Sequence, residues 1–334
     1  MSTFATSRPV CCRSPTRTTA RRSGLTTIPG GDTAHRWAAF GASARGSAHV
    51  REDRPNEDAV ACSCGESGRW AITAVADGHG HSLAVRADAG ARLAVDIGLA
   101  AARSCIAAME PAPETTDPAV ADRLARDIAA NWMGSVEQHL AENPFTDAEL
   151  RRSSAAETLA THPEAAYGTT LLVALAVGSS IVTCQIGDGD LLAVTADGGI
   201  FTLVPPDKRL VGTKTTSLAS RTATNDFRSN LVDVGRERIE VVVAATDGYV
   251  NSFSADDGFA TAGRDLWKLI HDVGPASVEG ALASWLESTS ADGTGDDATL
   301  ALLFDEAGLA GDSDPGSAAT IPAATLTTSE GASQ

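Results

Sequence analysis

Four times along this chain, a run of apolar, strand-forming residues begins or ends on a carboxylate. Glu57-Asp58 stands before the run at 59–64, and Asp77 closes the run at 70–76. Asp247 closes the run at 239–246, and Asp296-Asp297 opens the run at 298–304. A fifth acid, Asp188, follows Ile186-Gly187 between two further apolar runs. One Asp-Gly pair alone is most often a turn. Five such positions at strand edges say more, because the strand ends of a layered domain converge on the edges of its sheets. Carboxylates gathered there repel and raise one another's pKa unless a cation joins them. Oxygen donors suit a hard divalent cation, Mg2+ or Mn2+, better than zinc.

The remaining periodicity supplies the layers. Apolar runs predict strands at 37–43, 59–64, 70–76, 239–246 and 298–304. Ala-rich segments predict long helices at 81–108 and 118–141, with shorter ones at 264–272 and 275–288. Thr146 and Glu149 have capping-box spacing for a further short helix. Three close runs, 169–177, 181–186 and 191–195, are joined by Gly-Ser-Ser and Gly-Asp-Gly and predict an antiparallel meander. Antiparallel strand groups with helix pairs between them point to α+β layering rather than a doubly wound parallel sheet.

At 334 residues with 43% hydrophobic content, the chain can bury a large core. Its 43 acidic against 26 basic residues leave a net charge of −17, which repels a nucleic-acid backbone and excludes that partner class. The first 31 residues run the other way, with five arginines and no acid. The expected organisation is a disordered basic extension at 1–36, a catalytic domain at 37–305 and a flexible low-complexity tail at 306–334. No run of 18 apolar residues and no secretory h-region occurs, so neither a membrane span nor export is expected. Six scattered cysteines fit a reduced, cytoplasmic compartment.

Six ordered motifs carry a resemblance. Pro55-Asn56-Glu57-Asp58-Ala59, Val75-Ala76-Asp77-Gly78-His79-Gly80 and Tyr167-Gly168-Thr169-Thr170 come first. Ile186-Gly187-Asp188-Gly189-Asp190, Ala245-Thr246-Asp247-Gly248 and Gly295-Asp296-Asp297-Ala298-Thr299 follow. In this order the chain resembles the metal-dependent protein phosphatase 2C family of Ser/Thr phosphatases. Gly46-Ser47-Ala48-His49 and the Gly-Asp-Gly-Asp form are most similar to its bacterial branch.

The resemblance implies a four-layer α/β/β/α sandwich, with two facing antiparallel sheets and helix pairs outside. It implies a site for two Mg2+ or Mn2+ ions and hydrolysis of phosphoserine or phosphothreonine without a phosphoenzyme. Asp77 would bridge the cations and the Gly78 carbonyl would complete one of them. Asp247 and Asp296 would serve the other, Glu57 would reach a cation directly or through water, and Asp58 would orient these ligands. His79 would be the general acid. Substrates would be phosphoproteins made by a Ser/Thr kinase, and the protein a monomer. The alternative is a catalytically weak regulator that keeps the fold and binds a partner protein.

Three departures stand out. Arg51 and Arg54 are the candidates for substrate phosphate, but neither has the family's usual spacing. Asp188 could serve a third cation, yet the acid expected beside it is Asn251, so that cation is doubtful. Finally, 202–230 falls where the family carries a variable flap, here with Lys208, Arg209, Lys214, Arg221 and Arg228.

Overall fold

The computed structural model describes residues 10–11, 35–109, 117–152, 156–209, 215–253, 255 and 257–310. Most of the basic extension and the tail therefore lie outside the described residues. The strands are β1 (Val10–Cys11), β2 (Trp37–Ala44), β3 (Ala59–Cys64), β4 (Trp70–Ala76), β5 (Leu171–Val177) and β6 (Ser180–Ile186). They continue as β7 (Asp190–Thr195), β8 (Ile200–Thr202), β9 (Arg228–Asp233), β10 (Ile239–Ala245) and β11 (Ala298–Asp305). One sheet has the order β1-β2-β11-β10-β7-β8, the other β3-β4-β5-β6-β9. All pairings are antiparallel.

Both faces of the central strands are covered, which is why they read as continuous apolar runs. In β5, Leu171, Val173 and Leu175 face the helices Ala87–Met109 and Ala119–Glu142. The alternate residues Leu172, Ala174 and Ala176 face the other sheet. On the far side, Val241, Val243, Leu300 and Leu302 pack beneath the helices Gly258–Val273 and Pro275–Asp292. The layer between the sheets is rich in small side chains, among them Ala39, Ala71, Ala193, Ala244 and Ala301. The four-layer sandwich expected from the sequence is therefore present. Among the described residues, no helix is long and apolar enough to cross a membrane.

The meander is corrected. β5 and β6 pair, but β7 leaves for the opposite sheet, where it lies between β10 and β8. The chain crosses at Gly187-Asp188-Gly189, where Gly187 takes a φ of +105° that side chains rarely adopt. Gln185 Nε2 donates to the carbonyls of Gly187 and Gly189 and fixes this crossing. The first long helix also starts later than expected, because His81 to Arg86 form turns before Ala87.

The Thr146 capping box forms as expected. Glu149 N donates to Thr146 Oγ1 at 3.2 Å and Thr146 N to Glu149 Oε2 at 2.8 Å, starting the helix Asp147–Arg152. Glu149 also receives Arg86 Nε at 2.7 Å and Nη2 at 3.1 Å. Arg86 is buried, stacks on Phe145, and donates to Tyr167 Oη at 2.6 Å. These bonds hold the Glu149 carboxyl down at about 2, against an ordinary 4.5. A depressed acid adds stability above its unfolded pKa and loses it as pH falls through the folded value. Between pH 4.5 and about 2, Glu149→Gln should make urea stability less steeply pH-dependent than in the wild type. An unchanged slope would show that this pair contributes nothing.

Candidate metal centre

Register explains why the acids meet. Ala59 lies opposite Ala76, so the start of β3 adjoins the end of β4. Ala245 lies opposite Leu300, so the end of β10 adjoins the start of β11. Each sheet thus presents two acid-bearing strand ends at one edge. Between them is a cleft of about 290 Å³ whose walls include His49, Arg54, Glu57, Asp77, Gly78, Gly80, Asp296 and Asp297.

The Asp77 backbone is held by the Gly168-Thr169-Thr170 segment. Thr170 N and Thr169 Oγ1 donate to Asp77 O at 2.8 and 2.9 Å, and Asp77 N donates to Thr170 Oγ1 at 3.0 Å. Gly78 N donates to Glu57 O at 3.1 Å, and any Cβ on Gly78 would press within 2.6 Å of that oxygen. The glycine is thus required by close packing, and it brings Asp77 and Glu57 together.

The electrostatics follow. Burial pushes the Asp77 carboxyl well up, helped by repulsion from Asp58 and Asp247 and by a hydrogen bond to Asp247. Burial also raises Asp58, with Asp297 adding to it, although Thr246 Oγ1 donates to Asp58 Oδ2 at 2.8 Å. Glu57 and Asp188 are raised too, each mainly by burial, and Asp296 is raised as well although its side chain is more than half exposed. Such a set resists full ionisation unless positive charge arrives. The donors are oxygens on short, backbone-fixed side chains, which fit hard cations. Among the described residues, no three His, Cys, Asp or Glu side chains already stand as a closed ligand group. They are tied to protein partners instead, as Asp247 Oδ2 is to Asn251 Nδ2 at 3.3 Å.

Other expected site residues are placed differently. Arg54 lines the cleft and donates through Nη2 to Glu57 Oε2 at 2.7 Å. Arg51 points elsewhere, with Nη1 at 3.4 Å from Ser47 Oγ on an exposed surface. His79 stacks on His81 and abuts Gly168 rather than lining the cleft, and burial lowers it to about 4, leaving a neutral imidazole at pH 7. Asp188 lies to the side, within the field of Asp247.

The 202–230 flap is strapped to the Gly187 crossing. Thr216 Oγ1 accepts from Gly187 N at 2.8 Å, and Arg228 Nη2 donates to Gly187 O at 2.8 Å. Arg209 pairs with Asp207 and Asp226, and Arg221 meets His162. Lys208 is exposed, while Lys214 lies outside the described residues.

Two residues quoted from the sequence were given no role there. Asp297 is buried, accepting from Gly46 N through Oδ1 and from Glu57 N through Oδ2, both at 2.6 Å. His49 is 6% exposed and places Nδ1 at 2.9 Å from Asp297 Oδ2, with Nε2 3.7 Å from Asp296 Oδ1. Asp297 raises the His49 pKa, chiefly through this hydrogen bond. The doubled acid was the available signal, since neighbours at a strand start point to opposite sides.

Solved structures share this architecture. A bacterial serine phosphatase is 14% identical with a TM-score of 0.50, the match covering 80% of this chain and 97% of the other. Serine-threonine phosphatase 2C from Toxoplasma gondii is 14% identical with a TM-score of 0.51, covering 83% and 97%. PppA, a key regulatory component of T6SS in Pseudomonas aeruginosa, is 18% identical with a TM-score of 0.51, covering 81% and 99%. No curated protein matches the chain. Sandwich and acidic cleft define the phosphatase 2C class of fold. The family model described as "Protein phosphatase 2C" matches residues 45–287, and the chain belongs to that family.

Asp297→Asn removes the charge and one acceptor oxygen, so the Oδ2 contacts to Glu57 N and His49 Nδ1 are lost while Oδ1 can still accept from Gly46 N. Asp297→Asn is expected to cost about 3–5 kcal/mol in urea unfolding at pH 7, the scale for breaking a buried charge pair. A loss below about 1 kcal/mol, the scale of a surface ion pair, would refute its role as a clamp.

Proposed function

We propose that this protein hydrolyses phosphoserine and phosphothreonine in proteins through a two-cation centre, without a phosphoenzyme. The supporting observation is the Asp77 carboxyl, pushed up first by burial and then by Asp58 and Asp247, at the edge where both sheets present acids. Mg2+ or Mn2+ bound here would supply an acidified water and neutralise charge on the phosphoryl oxygens.

The chain's own residues then have distinct tasks. Asp77 would serve both cations with the Gly78 carbonyl beside it, while Asp247, Asp296 and Glu57 complete the donor set. Asp58, held by Thr246, orients these groups from behind. Arg54 faces the cleft and can neutralise phosphoryl oxygens with its planar fork. His79 remains the candidate to protonate the leaving serine or threonine oxygen, a task its burial opposes until substrate or cation changes its surroundings.

Purified protein should cleave a phosphopeptide with Mn2+ and lose that activity in chelator. Asp77→Asn should abolish turnover, yet raise the melting temperature in chelator because it removes a repelling carboxylate. Survival of activity in this variant would sink the bridging role, and Mn2+ binding without turnover would favour the partner-binding regulator. His79→Ala should slow the phosphopeptide more than a nitrophenyl ester, whose leaving group needs no proton; equal losses count against acid catalysis.

A further inference from the structure

Arg54 is already engaged with one of the proposed cation ligands. Its Nη2 donates to Glu57 Oε2 at 2.7 Å, and its Nη1 lies 3.5 Å from Glu52 Oε2. The two partners differ in freedom. Glu57 is fixed at both ends of its backbone, its N–H on Asp297 and its carbonyl under Gly78 N. The Arg54 side chain is one-third exposed (33%) and borders the open side of the cleft at Gly80. If this pair parts, the arginine is the group that moves. Burial raises the Glu57 pKa, and Arg54 is the strongest influence opposing it. The other nearby cations are otherwise engaged. His49 is anchored on Asp297 by Nδ1, and Arg51 faces away towards Ser47.

We propose that Arg54 is shared between the Glu57 carboxylate and the substrate's phosphoryl group, so that a cation taking Glu57 releases the guanidinium to phosphate. This rests on the divalent-cation reading of the cleft. Carboxylate and phosphate oxygens present similar acceptor pairs to a guanidinium fork, which makes the exchange conservative in geometry. The cation-free protein is then self-paired and a poor phosphate binder. Cation and phosphate bind with positive coupling, each tightening the other by the same factor.

Calorimetric titration of the full chain with inorganic phosphate, in chelator and in Mn2+, tests this. The proteins compared are wild type, Glu57→Gln, Arg54→Gln and the double variant, each confirmed folded by its melting curve. In chelator, Glu57→Gln should tighten phosphate about five-fold, the low end of ordinary coupling between sites. In the Arg54→Gln background the same substitution should change little. Mn2+ should tighten phosphate on the wild type by about five-fold more than on Arg54→Gln. An equal gain from Glu57→Gln with and without Arg54 would mean that lost negative charge alone is responsible, and would overturn the exchange. A wild type that binds no Mn2+ in its own titration would remove the cation reading and the exchange with it. Mn2+ binding intact with equal gains removes only the exchange.

Discussion

Mutual repulsion among crowded carboxylates is the constraint to which the rest of this structure answers. Asp58, Asp77, Asp247 and Asp296 would separate if their backbones allowed it, since like charges gathered at one edge repel. Their backbones do not allow it. Asp77 is locked to Thr169 and Thr170. Asp296 is placed by the start of a strand buried on both faces. Glu57 hangs between Asp297 and Gly78. Three apolar layers hold four acids in a geometry they disfavour, and the strain is confined to one edge.

Much of this was legible because the relevant signals are local. The strands beginning at Ala59, Trp70, Ile239 and Ala298 follow from apolar runs bounded by acids and glycines, and Thr146 announced its helix by spacing alone. The partner of a strand is a different matter. A run such as 190–195 has the same alternation whichever sheet it joins, so nothing in it revealed that β7 crosses over at Gly187. β9 escaped notice because Arg228, Ser229, Asn230 and Asp233 are polar, as an edge strand tolerates. Arg51 and Arg54 were indistinguishable by composition. Only the bend of the chain through Gly46 to Asn56 turns one towards the cleft and the other away.

Asp297 and His49 show how a supporting residue can be hidden by its better-known neighbour. Asp296 stands out as a ligand type at a strand edge. Asp297 makes the firmer contacts, joining a loop near residue 46, the histidine three positions later and the backbone of Glu57. Its role depends on contacts 240 and 251 positions away in the chain, which no window of sequence displays.

The last strand has a consequence for how the protein comes into being. β11 sits inside its sheet, with β2 from near the start of the chain on one side and β10 on the other. During synthesis the first sheet stays divided until residues 298–305 leave the ribosome, and β2 waits for that neighbour while the intervening residues are made. The wall carrying Asp296 and Asp297 arrives with that strand. Until then Arg54, Glu57, Asp77 and Asp247 face no wall from the start of β11. The acidic edge is whole only once that strand has paired with β2 and β10.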